Sequence, residues 1–203
     1  SSVIRSAISG QVEDKDESNI SVLGHRRWLF YPGTLNMGYG TADAVNDSWY
    51  SFYTDIRVFG NDVSKKTVSD YDFIAWPASG KNLTDTFPRT TPWSVTLNPS
   101  NYQSPSKNNV QVVLTRLSDG KVWTFNKNTD TSTVGGANDY FNIDNVPVGV
   151  SNAIIFRPAY NDITNYVGSY KVDITGIYDT SGNAKQLSYR SEEHTSELQS
   201  HLN

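Results

Sequence analysis

Beyond Trp93 the chain places an apolar residue at nearly every second position, and that period constrains the fold more than any other feature. Trp93, Val95 and Leu97 alternate with Ser94 and Thr96; Val110, Val112 and Leu114 alternate with Gln111 and Thr115; Tyr170, Val172 and Ile174 alternate with Lys171, Asp173 and Thr175. Successive side chains of a strand point to opposite faces, so this pattern predicts strands with one buried and one wet face, Ser94 and Thr96 facing water. Ser118-Asp119-Gly120 supplies turn chemistry before Lys121–Asn126, which closes a hairpin on the 110–115 strand. Further strands are expected at Tyr140–Ile143 and Ala153–Phe156, with a last one beginning at Leu187. Gly135, Gly136, Pro147, Gly149, Pro158 and Gly168 interrupt any longer helical period. Six strands in about ninety residues read as an antiparallel, immunoglobulin-like β-sandwich.

The first part of the chain is mixed. Val3, Ile4, Ala7 and Ile8 share one helical face, and Glu13–Ser18 read as an acidic, solvated connection. Met37–Gly40 and Trp49–Thr54 read as two strands separated by a polar loop. The expected class is therefore α+β, mainly β, with residues 1–76 as one unit and residues 77–189 as the sandwich. Residues 190–203 change composition abruptly, bringing three glutamates and two of the three histidines into a short polar run. That run resembles one translated reading frame of a sequencing adapter and is expected to be a non-native, disordered tail.

Composition removes whole classes of function. With no cysteine there is neither a disulfide, nor a zinc-thiolate site, nor a thiol nucleophile, so chemistry falls to oxygen, imidazole and guanidinium groups. Residues 1–76 carry seven Lys/Arg against ten Asp/Glu and residues 77–189 nine against eight, which leaves no basic surface for nucleic acid. No apolar stretch is long enough to span a membrane as a helix, and Ser1–Gly10 lacks the apolar core of a signal peptide, so any targeting segment is expected outside this fragment. Abundant Asn, Asp, Ser, Thr, Tyr and Gly suit turn-rich β structure at a cell surface or in the extracellular space.

The densest motif runs from Leu23 to Gly40, where His25, Arg26, Arg27 and Trp28 stand together before Pro32. Ser21, Gly24-His25-Arg26, Trp28-Leu29, Pro32 and Gly38-Tyr39-Gly40 follow in the order seen in bacterial exported CAP domains. The segment resembles the closing part of that fold, shared by cysteine-rich secretory proteins, antigen-five allergens and plant pathogenesis-related proteins. Ala75-Trp76-Pro77, Pro92-Trp93-Ser94, Ile155-Phe156-Arg157-Pro158 and Tyr170–Gly176 extend the resemblance to a bacterial subgroup in which a CAP domain runs into a β-sandwich.

The resemblance implies an α-β-α sandwich with an open cleft of two histidines and two acidic residues able to hold a divalent metal in the complete domain. His25 takes the position of the later histidine, and the earlier one lies upstream of Ser1. A lone imidazole is a poor metal site, since useful affinity needs three or four converging ligands. His25 is thus a candidate metal ligand of an incomplete site, a candidate general base, or an imidazole that steadies a turn; no resident cofactor is assigned. Arg26, Arg27, Asn36 and Tyr39 are candidate ligand-binding residues, against a reading in which the arginines bond helix-terminal carbonyls and Trp28 is core. Glu13 and Glu17 are candidate carboxylates. Three functions fit: an exported protein binding a small-molecule or cell-surface ligand or a metal at the cleft, with the sandwich as spacer or adhesive module; a hydrolase using His25 with acids outside the fragment; or a glycan-binding sandwich presenting Trp93, Trp123, Tyr140, Tyr160 and Tyr166. Asp139, Asp144, Asp162 and Asp173 are candidate but scattered calcium ligands. Neither Gly-x-Ser-x-Gly nor His-Glu-x-x-His occurs.

Overall fold

The alternation past Trp93 is spent on two stacked sheets. The structure is a computed structural model that describes residues 2–46, 49–58, 71–83, 87–132 and 136–194. Among these, in chain order, lie α1 (Ser2–Glu13), α2 (Gly24–Leu29), β1 (Gly38–Asn46), β2 (Trp49–Arg57), β3 (Phe73–Trp76), β4 (Gly80–Leu83), β5 (Trp93–Leu97), β6 (Gln111–Arg116), β7 (Val122–Phe125), β8 (Tyr140–Asp144), β9 (Ala153–Arg157), β10 (Gly168–Tyr178) and β11 (Ala184–His194). One sheet has the order β4-β11-β10-β6-β7, the other β3-β5-β9-β8, and β1-β2 form a separate antiparallel ribbon. Among the described residues every strand-to-strand pairing is antiparallel except β4 with β11. Most of the polar loop expected between Gly40 and Trp49 is corrected to strand, since β1 runs on through 41–46 paired to β2; only residues 47–48 lie outside the described set.

The period-two residues meet between the sheets. Trp93, Val95 and Leu97 of β5 with Phe156 of β9 share a core with Val112 and Leu114 of β6, Phe125 of β7 and Tyr170, Val172 and Ile174 of β10. Rings cross from sheet to sheet: Trp93 lies 5.7 Å from Tyr170, Phe125 5.3 Å from Phe156, and Phe73 5.8 Å from Tyr189. Offset and edge-on contacts at such distances add to the burial energy of the rings.

The expectation that Ser94 and Thr96 face water is corrected: they are 3% and 5% exposed. The outer face of the β5-β9-β8 side is roofed by the N-terminal segment, where Ile20 and Leu23 pack on Tyr140, Ala153 and Ile155. β9, Ala-Ile-Ile-Phe-Arg, is buried at every position. Its unbroken apolar run is the mark of a strand covered on both faces, whereas β5 alternates in sequence and is covered all the same. The division at residue 76 also shifts, because β3 pairs with β5 (Phe73↔Leu97, Trp76↔Ser94) and so belongs to the sandwich.

The last strand runs past the expected boundary at residue 190. Ser191 pairs with both Tyr170 and Gly80, and the strand continues to His194; residues 195–203 lie outside the described set. Inward alternation continues through Leu187, Tyr189, Ser191 and Glu193, and the last two are wholly buried. The Ser191 hydroxyl donates to Glu193 Oε1 at 2.6 Å, while Oε2 has no hydrogen-bond partner among the described residues. Burial holds the Glu193 carboxyl above its ordinary value of 4.5. The folded chain thus keeps a proton that the unfolded chain gives up, so stability falls as pH rises from the ordinary value through the raised one. Glu193→Gln is expected to flatten that fall and to be the more stable of the two proteins at pH 8. Urea midpoints at pH 4, 6 and 8 check it, and parallel curves for the two proteins would refute it.

Candidate functional site

The site begins where α1 ends. Asp14 follows the helix in the left-handed region, φ 47°, a conformation that aspartate tolerates better than most residues. The turn sends its carboxylate to the start of α2. Oδ2 accepts the backbone N–H of His25 at 2.9 Å and of Arg26 at 3.3 Å, and Oδ1 lies 2.9 Å from His25 Nδ1. The residue preceding α2, Leu23, makes no side-chain cap. Asp14 therefore caps α2 from eleven positions upstream, satisfying donors that every helix start leaves over.

The same carboxylate orients the imidazole. A carboxylate oxygen within hydrogen-bond reach of Nδ1 holds the ring in one orientation. Asp14 is sealed, its side chain 1% exposed, while that of His25 is 50% exposed. This corrects the reading of Glu13–Ser18 as a wholly solvated connection. Glu13, a candidate carboxylate, is held by Lys15 at 2.6 Å, and Glu17 is exposed.

Arg26 and Arg27, the candidate ligand-binding pair, are 1% and 2% exposed and engaged by the protein itself. Arg26 donates to the carbonyls of Val12 (2.5 Å) and Glu13 (2.6 Å) at the end of α1, and to the carbonyl of Pro92 (2.8 Å) and the hydroxyl of Ser94 (3.0 Å). One guanidinium thus satisfies leftover helix-terminal carbonyls and ties them to β5. Burial pulls its pKa down to about 9 against the opposing pull of Asp14 and Glu13, and it stays charged at neutral pH. Arg27 donates to the carbonyls of Val150 (2.6 Å), Val22 (2.9 Å) and Val146, and to Asp144 at 2.5 Å. Burial lowers its pKa as well, opposed by Asp144. Gly149, φ +63°, lets the β8–β9 loop close on α2: a Cβ there would sit 2.4 Å from the Arg27 carbonyl oxygen.

With α2 clamped, His25 overlooks a cleft between α1, α2 and β2. One end, of about 90 Å³, is lined by Trp28, Leu29, Ile56 and Val58 together with Gln11 and His25. The other opens beyond His25 toward Asn19, Thr54 and Asp55. Trp28, expected in the core, is half-buried and forms a wall, edge-on to Tyr31 at 6.2 Å. Asn36 and Tyr39 are exposed and line neither end. The position of β2 beside α2 is a tertiary fact with no sequence signal. Asp14 had only a faint one, an acidic residue just past an apolar helix.

The other candidates disperse. Trp93, Trp123, Tyr140 and Tyr166 are buried, so they present no surface platform, and the Tyr160 ring is covered by the Arg157 guanidinium at 4.5 Å. Asp139 accepts the Ala159 N–H, Asp144 the Arg27 guanidinium and Asp162 the Trp123 indole N–H, while Asp173 pairs with Lys171. Among the described residues no three His, Asp or Glu side chains converge as a metal site demands. Among the described residues, the ionisable donors next to the His25 ring are its imidazole and the Asp14 carboxylate behind it. Comparison with known proteins finds no matching family model, no matching curated protein and no matching solved structure.

Proposed function

We propose that the protein acts at a cell surface or in the extracellular space, as part of a CAP-like exported protein, and binds a small ligand in the His25 cleft without transforming it. The sandwich then serves as a spacer or adhesive module. The observation that carries the ligand reading is the pairing of one oriented imidazole with an apolar wall. Asp14 Oδ1 stands 2.9 Å from His25 Nδ1 and holds the ring in place, and Trp28, Leu29, Ile56 and Val58 line the cleft with it. Ligand sites are commonly built this way, mostly apolar with a few placed polar groups. The Gly24-His25-Arg26 resemblance supports the family reading, and the cysteine-free, turn-rich composition supports the location.

A hydrolytic reading draws on the same His25–Asp14 pair, since a buried carboxylate behind an exposed imidazole is how a general base is oriented. It needs in addition a nucleophile or activated water within hydrogen-bond reach of Nε2. The binding reading asks for nothing beyond the residues already in place.

A fragment screen observed by NMR at the His25 imidazole and Trp28 indole tests it. Hits are expected to shift both resonances with dissociation constants on the order of 1 mM, about −4 kcal/mol, and to be lost in Trp28→Ala. A library in which no compound moves either resonance would remove the cleft from consideration.

A further inference from the structure

We propose, resting on the cleft reading above, that the sandwich takes part in recognition: Val148, in its β8–β9 loop, is the residue that limits how large a ligand the cleft admits beyond His25. The cleft has two unequal ends that share Gln11, His25, Trp28 and Ile56. The end walled by Trp28 and Leu29, about 90 Å³, is smaller than the roughly 150 Å³ cavity that holds a benzene ring, which suits a short branched alkyl group. The end beyond His25 is about 520 Å³, so the rest of a larger ligand lies there, and Val148 is among the residues that line it.

Contacts far apart in the chain put Val148 there. The residue is half-buried, and its Cγ1 reaches the first turn of α2, 3.6 Å from where a Cβ on Gly24 would stand, one position before His25. The loop that carries it is pinned along its length. The Arg27 guanidinium donates to the carbonyls of Val146 and Val150, and the Asn145 amide donates to the Pro105 carbonyl at 3.0 Å. The Val148 N–H donates to the Val146 carbonyl at 2.9 Å, which closes a three-residue turn. Valine is moreover stiff at its one side-chain torsion, so it cannot fold aside as a longer side chain would. A ligand that extends past His25 therefore meets a fixed branched side chain contributed by the sandwich.

Two amides with the same alkyl head test this: isovaleramide, and N-benzylisovaleramide, which carries a ring past the amide. Each is titrated into the whole chain while the His25, Trp28 and Val148 methyl signals are followed by NMR. N-benzylisovaleramide is expected to shift all three, and isovaleramide chiefly those of His25 and Trp28. Val148→Trp is expected to weaken N-benzylisovaleramide by about tenfold or more, ~1.4 kcal/mol, and to change isovaleramide by less than about twofold. Val122→Trp, at an exposed valine on β7, is expected to change neither. The Val148 methyl shift is read on the unaltered protein, so it does not depend on how well the tryptophan variant folds. Shifts at His25 and Trp28 with none at Val148, or a Val148→Trp protein that binds both probes as before or loses both equally, overturn the role of Val148 and leave the cleft reading standing. No response to either probe at any of the three signals overturns this inference together with the cleft reading.

Discussion

Trp93→Ala is expected to lower the stability of the protein by about 3–5 kcal/mol, the range for deleting a fully buried large aromatic side chain. Trp93 is 0% exposed and touches rings on every side: Phe87 at 5.4 Å, Tyr166 at 5.5 Å, Tyr170 at 5.7 Å and Phe156 at 6.0 Å. Tyr170 belongs to the opposite sheet, so the indole fills space that both sheets need and neither can close by itself. Alanine leaves a void that a close-packed interior fills only partly. A loss of this size in a chain of this length lowers the melting temperature by roughly 10 °C, readable by calorimetry. A variant melting within a degree or two of the parent would show that the two sheets do not share one core.

Arg27→Ala has an effect of similar size through different physics. The side chain is 2% exposed and its guanidinium holds Val22, Asp144, Val146 and Val150 at once. Removing one member of a buried ion pair leaves the other charge without compensation, at a cost of about 3–5 kcal/mol. Here three carbonyls lose their donor as well. Arg27→Lys keeps the charge and loses the fork, so it is expected to fall between alanine and wild type. Asp144→Asn is milder, because its side chain is partly exposed and an amide can still accept a hydrogen bond. Hydrogen exchange adds a spatial prediction: in Arg27→Ala, amides of α2 lose protection before those of β6 and β10, since Arg27 anchors the outer layer rather than the core between the sheets. Uniform loss of protection across the chain would show that the layers unfold as one unit.

The clamps matter to the cleft as much as to stability. His25 stands on a helix of six residues, too short to hold itself in water. Asp14 caps it, Arg26 ties it to α1 and β5, and Arg27 ties it to the β8–β9 loop. The neighbouring arginines thus position His25 by fixing the backbone on either side, and they do so from the interior. An arginine pair beside a histidine reads in sequence as a ligand cluster because the chain does not reveal which carbonyls will surround each guanidinium.

What the sequence alone determined is the set of strands past Trp93. A period of two is a local property: side chains alternate across a strand whatever it pairs with, so β5, β6, β7, β8, β9 and β10 could be placed from their residues. The hairpin of β6 and β7 followed from Ser118-Asp119-Gly120, whereas for β1 and β2 the sequence marked two strands but neither their pairing nor the extension of β1 to Asn46. Only the tertiary structure decided what covers the outer face of β5, which of the acidic residues after α1 reaches His25, and that β3 crosses the expected boundary into the sandwich. Each depends on contacts between residues far apart in the chain, as when Arg27 meets Val150 or Arg26 meets Ser94. Local sequence carries the periodicity of an element but not the identity of the surface that will bury it, and in this protein that surface, laid down by the first thirty or so residues, is also what builds the cleft.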